Sequence, residues 1–229
     1  MMMVDSVFLN WLRYRSYWSY NSIIIIIGEN RSGKSFMGCG LCEQLDYGFN
    51  ENKIVFDMET FLDFVDKAKP CWLLFDEVGC SLDRSEWWST ENRIFGQVSE
   101  AYGKLGINLV MTLPSLGMLS RHGLEMAHFF IRMLGRGVGR VYQNWKNPLT
   151  GQHRPFTIGH VVNMMPSPRL WKVYEQKKMV FLDKKKAEWK ELYNTKKLSR
   201  ILTSKRIQNK INENSNPLYQ TFDVKGLLV

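Results

Sequence analysis

Short apolar runs alternate with amphipathic segments along most of this 229-residue chain. Residues 23–27 are five isoleucines and residues 71–75 read CWLLF, as strands buried on both faces of a parallel sheet do. Further strands are predicted at KIVF (53–56), INLVMT (107–112) and HFFIRM (128–133). This alternation predicts an α/β fold, with a parallel sheet flanked by helices and right-handed crossovers.

Helical spacing fills the segments between these strands. The run SFMGCGLCEQL follows the first strand, and Asp57 can cap a helix that buries Phe61 and Val65. Thr90 can cap another helix that stops at Gly106, and residues 115–127 are predicted to be helical. In such a sheet, ligands bind at the carboxyl ends of the strands.

The pattern changes near residue 138. RVYQNW and HRPFTIGHVV flank NPLTG, which predicts an antiparallel hairpin near residues 138–163. A basic helical stretch then begins with LWKVYEQKK. We expect an N-terminal arm or helix over 1–21, a central domain over 22–178 that includes the hairpin, and a basic C-terminal tail over 179–229.

The charge of the chain is concentrated in this tail. Of the formal net charge of +9, residues 177–229 supply 8, with 13 basic and 5 acidic side chains. Such asymmetry favours contact with a polyanion, either nucleic acid or an anionic membrane surface, and a solvated helix face is the alternative.

Cysteine usage indicates a reducing compartment. The four cysteines are too dispersed for a disulfide framework, and the C-x-x-C of Cys39 and Cys42 is interpreted as two buried thiols in a helix. No apolar run approaches the roughly 18 to 20 residues that span a bilayer. The expected location is cytoplasmic, or virion-associated for a viral chain, with peripheral membrane attachment through the aromatic N-terminus as the alternative.

The strongest chemical motif is GENRSGKS at residues 28–35, directly after the isoleucine strand. Its spacing is that of a Walker A phosphate loop between a strand and a helix, so ATP or another nucleotide is expected to bind there. Lys34 supplies charge for the β- and γ-phosphates and the Ser35 hydroxyl can ligate Mg²⁺. The loop amides cradle the phosphates. The binding residues are Gly28, Glu29, Asn30, Arg31, Ser32, Gly33, Lys34 and Ser35.

Two carboxylates close the strand CWLLFDE, which matches a Walker B motif. Asp76 is expected to hold Mg²⁺, and Glu77 to orient and deprotonate the attacking water; a helix cap is the alternative. Residues 76–79 also spell D-x-x-G, as in GTPases. The guanine-selecting Asn-Lys-x-Asp motif is missing, because the late NKIN at 209–212 lacks the aspartate. ATP is therefore favoured over GTP.

Other polar residues can complete such a site. Thr112 ends the strand INLVMT and is a sensor candidate, with the turn before Pro114 as the alternative role. Arginine is the side chain best suited to stabilise the charge on a transferred phosphoryl group. The arginine-finger candidates are Arg84, Arg93 and Arg121, each of which has a surface salt bridge as its alternative role.

Taken together, these motifs and the run LPSLGMLSRHGLEMAHFFIRM resemble the FtsK/HerA superfamily of P-loop ATPases. The resemblance covers about residues 22–180 and is closer to compact virus and plasmid DNA-packaging ATPases and to zonular occludens toxin-like proteins. It implies a RecA-like sheet of the additional-strand, catalytic-glutamate class, and a homo-oligomeric ring, expected to be a hexamer, that translocates double-stranded DNA. A capsid or membrane protein is an expected partner.

We therefore expect an Mg²⁺-dependent ATPase motor that moves double-stranded DNA, as in viral genome packaging. A membrane-associated assembly or export ATPase of filamentous particles is the main rival. A GTPase and a small-molecule kinase rank lower, since no kinase lid is recognisable in the sequence.

Overall fold

The computed structural model describes residues 4–67, 69–76, 105–119, 121–147, 149–162 and 164–214, and of residues 4–6, 121–122 and 198–214 it describes the backbone alone. Two compact units divide the chain, Met1–Met179 and Val180–Val229. The described residues form five α-helices: α1 (Val4–Tyr17), α2 (Lys34–Leu45), α3 (Met58–Val65), α4 (Arg121–Met126) and α5 (Pro168–Asn214).

Seven strands of the described chain form one sheet, in the order β2-β3-β4-β1-β5-β6-β7. The first five strands are parallel, and β6 and β7 add an antiparallel hairpin to the β5 edge. The α/β prediction and the hairpin are thus confirmed. The bounds are β1 (Ile23–Ile27), β2 (Ile54–Val55), β3 (Cys71–Phe75), β4 (Ile107–Leu113), β5 (Phe129–Gly135), β6 (Val138–Lys146) and β7 (His153–Val162).

The central strands are buried on both faces because helices and loops cover both. Every residue of β4 is buried, as are four of the five isoleucines of β1. β4 lies between β1 and β3 and pairs with both in parallel register, Ile26 with Thr112 and Leu73 with Leu109. This inserted strand is the additional strand that the resemblance implied, and it separates the Walker A strand from the Walker B strand.

Helix α1, the first described element of the chain, packs on the sheet. Phe8 and Leu12 are buried, and the rings of Phe8 and Trp11 meet Phe129 of β5 edge-on at 5.4 and 5.0 Å. Beyond this buried stripe, aromatic side chains at the end of α1 remain exposed: Tyr14, Tyr17, Trp18 and Tyr20.

Two local predictions are wrong in their bounds. The helix predicted over 115–127 is a 3₁₀ turn, Leu116–Met118, followed by the short α4, because the Ser115 hydroxyl accepts a hydrogen bond from the Gly117 N–H and caps the turn at once. The predicted strand 53–56 shrinks to β2, because Lys53 ends a 3₁₀ turn that Asn50 caps. The helix predicted after Thr90 falls largely outside the described residues.

The cysteines of α2 are buried thiols, as predicted. Cys39 and Cys42 have no exposed surface, and burial raises the pKa of both thiols well above the usual value. Among the described residues no cluster of cysteine, histidine and carboxylate side chains can hold a metal ion. These thiols therefore fill space in the helix that follows the phosphate loop.

Helix α2 contacts the chain just before α5 at Gly40. A Cβ atom at this position would lie 2.5 Å from the Met164 carbonyl oxygen and 2.8 Å from the Met165 carbonyl carbon. At the end of this segment, the Glu43 carboxylate accepts hydrogen bonds from the Ser167 N–H and hydroxyl, both at 2.6 Å. The absence of a side chain at Gly40 thus lets the chain cross α2 and start α5 beside it.

We expect Gly40→Ala to lower the free energy of unfolding by about 1–3 kcal/mol, because backbone atoms have to move away from the new methyl group. The matched control is Gly38→Ala in the same helix, where the atom nearest to a Cβ atom would be Leu74 Cδ1, at 2.8 Å, which is the end of a side chain and not backbone. Both changes gain the same helix propensity. Chemical denaturation measures the difference; equal midpoints for the two variants would contradict the close packing at Gly40.

The described part of the second unit is the portion of α5 from Val180 to Asn214. Lysine and acidic side chains pair along it one turn apart, Lys185 with Glu188 at 2.8 Å and Lys186 with Asp183 at 3.1 Å. None of the described helices is both long and apolar enough to cross a membrane.

Candidate nucleotide-binding site

The loop GENRSGKS connects β1 to α2 at the carboxyl edge of the sheet. Arg31 and Gly33 have positive φ angles of 66° and 92°, so the backbone reverses direction before α2 begins at Lys34. The Ser32 hydroxyl oxygen is buried in this loop and has no hydrogen-bond partner among the described residues. A buried polar atom in that condition fits a loop built to receive a polar ligand.

Lys34 closes over this loop. Its ammonium group donates hydrogen bonds to the carbonyl oxygens of Gly28, at 2.8 Å, and Glu29, at 2.7 Å. The charge is thereby held at the mouth of the loop, where the motif predicts the β- and γ-phosphates. The ammonium can exchange these carbonyl oxygens for phosphate oxygens by rotating its flexible stem.

The end of β5 and the turn that follows it form one wall of the loop. A Cβ atom on Gly28 would lie 2.8 Å from Met133 Cβ, and one on Gly33 would lie 3.4 Å from Arg136 Cγ. Arg136 belongs to the run GRGVGR at residues 135–140. The order of strands brings it beside the phosphate loop, since β5 pairs with β1.

Asp76 follows β3 at the same edge of the sheet and is fully buried. Its Oδ1 atom accepts a hydrogen bond from the Thr112 hydroxyl at 2.6 Å, and Thr112 lies near the end of the neighbouring β4. The insertion of β4 between β1 and β3 therefore places Thr112 beside the Walker B carboxylate. Its proposed sensor role stays a prediction.

Two residues of α5 complete the surroundings of Asp76. The Tyr174 hydroxyl donates to Asp76 Oδ2 at 2.6 Å, and the Lys178 ammonium donates to the same oxygen at 3.1 Å and to the Tyr174 oxygen at 2.9 Å. The Ser35 side chain lies close enough to the Tyr174 hydroxyl to interact with it. Burial and the negative charge of Asp76 raise the pKa of Tyr174 well above its usual range, so this hydroxyl is neutral.

Sequence reasoning missed both of these α5 residues. Tyr174 and Lys178 are spaced four apart on a helix, so they share one face, but nothing local points that face at a carboxylate 98 and 102 residues earlier. In the sequence, both residues appear only as members of a basic helical stretch.

Several predicted site residues remain untested predictions. Glu77, Arg84 and Arg93 lie outside the described residues. Arg121 begins α4, and only its backbone is described. Of the predicted site, the structure thus brings together the loop from Gly28 to Ser35, Asp76 and Thr112.

Comparisons with known proteins give distant likenesses. No protein-family model matches the chain, and neither does any curated protein. Among solved structures it is similar to the cytoplasmic domain of the type VII secretion ATPase EccC of Thermomonospora curvata, with 13% identity and a TM-score of 0.37 over 62% of this chain and 24% of that one. It is also similar to the N-terminal domain of zonular occludens toxin from Neisseria meningitidis, with 12% identity and a TM-score of 0.32 over 60% of this chain and 94% of that one.

The chain spans about a quarter of the length of the secretion ATPase structure that it matches.

Proposed function

We propose that this chain is an Mg²⁺-dependent ATPase. The observation that carries the proposal is the meeting of two motifs at one edge of the sheet: the GENRSGKS loop after β1 and Asp76 after β3, with β4 between them. The Tyr174 hydroxyl donates to Asp76 and lies beside Ser35, so one hydroxyl group borders both predicted metal ligands. A phosphate loop without that carboxylate would support nucleotide binding but not hydrolysis.

The residues fit the nucleotide and the metal. The positive φ angle of Gly33 and the Lys34 ammonium suit a polyphosphate, as does the buried Ser32 hydroxyl, which has no hydrogen-bond partner in the described part of the chain. The oxygens of Ser35 and Asp76 are ligands of the type that Mg²⁺ prefers. When bound, Mg²⁺ would neutralise charge on the β- and γ-phosphates.

The chain's own side chains would then divide the remaining work. Lys34 holds the phosphates, and Glu77 orients and deprotonates the attacking water. Thr112 senses the γ-phosphate from the end of β4. An arginine finger, from Arg84, Arg93 or Arg121 of an adjacent subunit, would complete each site in a homo-oligomeric ring.

We further propose that ATP hydrolysis drives translocation of double-stranded DNA, as in genome packaging. The support is the excess of 13 basic over 5 acidic side chains in residues 177–229. Within the described part, Lys184, Lys190 and Lys197 are exposed on α5. Such side chains suit electrostatic contact with phosphate backbones without a base-specific signal.

Double-stranded DNA is expected to stimulate ATP hydrolysis by the full chain. Replacing Lys184, Lys190 and Lys197 together by glutamine should weaken DNA binding several-fold, because contacts to phosphates are lost. Each lost contact should also reduce the slope of log affinity against log salt concentration by about 0.9. The measurements are DNA affinity at several salt concentrations and phosphate release with saturating DNA.

The matched control replaces Lys67, Lys69 and Lys172, exposed lysines of the first unit, by glutamine. It removes the same total charge and is expected to keep a steeper salt slope than the α5 variant. An ATPase that no nucleic acid stimulates, or equal loss of affinity in both triple variants, would contradict DNA contact through the tail.

The exposed aromatic cluster at the end of α1 favours a second candidate function, a membrane-associated assembly or export ATPase. Tyr14, Tyr17, Trp18 and Tyr20 are between 56% and 80% exposed, and tyrosine and tryptophan suit a membrane interface. Flotation of the full chain with anionic vesicles in the absence of DNA discriminates the two candidates. Comigration with the vesicles supports the membrane function.

A further inference from the structure

The carboxylate of Asp76 is already engaged by three donors of the chain itself. Thr112 takes Oδ1, and Tyr174 and Lys178 take Oδ2, at 2.6, 2.6 and 3.1 Å. Asp76 is fully buried, whereas the Lys178 side chain is 20% exposed. The ammonium of Lys178 therefore supplies the positive charge that this buried carboxylate requires.

The Tyr174 hydroxyl lies between the two residues that are expected to hold Mg²⁺. It donates to Asp76, accepts from Lys178 and lies beside the Ser35 side chain. A metal ion that reaches Ser35 and Asp76 has to enter the space that this hydroxyl and the ammonium now occupy. Two cations beside one buried carboxylate also repel each other strongly.

Ring packing and hydrogen bonds anchor the start of α5 near Tyr174. Its ring stacks on Trp171 at a centroid distance of 4.7 Å, and Trp171 meets Phe36 of α2 edge-on at 4.9 Å. Lys177 donates to the carbonyl oxygens of Glu51 and Ile54 at 2.7 and 2.6 Å. The Tyr174 ring is therefore fixed, while the stem of Lys178 has four rotatable carbons by which the ammonium can leave.

We propose that Lys178, seated by the Tyr174 hydroxyl, is a latch on the magnesium site: its ammonium replaces the metal at Asp76, and Mg²⁺ has to displace it. This rests on the proposed ATPase function and adds to it a regulation of the same site. The affinity for Mg²⁺ is then set by how firmly α5 holds the ammonium in place.

The test measures divalent metal binding directly. Mn²⁺ binding to the nucleotide-free full chain is followed by electron paramagnetic resonance, and binding of a fluorescent, non-hydrolysable ATP analogue is followed against free Mg²⁺ concentration. Lys178→Met keeps an unbranched stem but removes the charge. In both measurements it should lower the metal midpoint, which is the metal concentration at half-saturation, about tenfold. Lys178→Arg keeps the charge and should remain within about threefold of the wild-type chain.

Tyr174→Phe keeps the stacked ring and removes only the hydroxyl, so it should lower the metal midpoints about threefold. If Lys178→Met does not fold because the buried Asp76 carboxylate loses its cation, the Tyr174→Phe variant tests the latch instead. Unchanged or raised metal midpoints in the variants that fold would overturn the latch. A wild-type chain that binds no nucleotide analogue at any Mg²⁺ concentration would overturn the proposed function, while the Mn²⁺ measurement still judges the latch.

Discussion

Lys34→Ala is expected to weaken ATP binding by about 100-fold or more and to abolish turnover. The Lys34 ammonium is held 2.8 and 2.7 Å from two carbonyl oxygens of the phosphate loop, where it can pass to the phosphates. Losing two charge-assisted hydrogen bonds of about 1.5 kcal/mol each gives a change of this size. Titration with a fluorescent ATP analogue in the presence of Mg²⁺ measures it.

The control for this variant is Lys53→Ala. Lys53 is also a partly buried lysine, but it pairs with Asp46 at 2.7 Å, away from the phosphate loop. Its replacement is expected to leave nucleotide affinity unchanged. If the two variants bind the analogue equally well, Lys34 is not a phosphate ligand.

Glu77→Gln is expected to keep ATP binding and to lose turnover by a factor of about 100 to 1,000. The amide has the shape of the carboxylate but cannot take the proton of the attacking water, and general-base catalysis contributes about 10²–10⁴. Single-turnover hydrolysis and analogue binding, measured on the same preparation, separate the two effects. Glu59→Gln, an exposed change on α3, is the control. Normal hydrolysis by the Glu77 variant would show that another group is the base.

The strands and the phosphate loop could be predicted because their signals are local. Five isoleucines followed by G-x-x-x-x-G-K-S specify a buried strand and a loop within a dozen residues. The hairpin also has a local signal, the turn NPLTG between two alternating runs. The bounds of an element could not be predicted where short capping contacts compete with helix or strand, as at Ser115 and Asn50.

The α5 contribution to the site could not be predicted, because it depends on tertiary packing. Tyr174 reaches Asp76 only because Gly40 lets the chain cross α2 closely and because Glu43 holds Ser167 at the start of α5. Arg136 comes beside Gly33 through the pairing of β5 with β1. Neither contact leaves a pattern in the sequence, since each joins segments about 100 residues apart.

The proposed ATPase activity is tested most directly by phosphate release from ATP with the full chain, with and without Mg²⁺. We predict steady turnover with Mg²⁺ that stops when the metal is chelated and is lost in the Lys34→Ala variant. Absence of phosphate release above background, or an equal rate in the Lys34→Ala variant, would contradict the assignment of GENRSGKS and Asp76 to ATP hydrolysis.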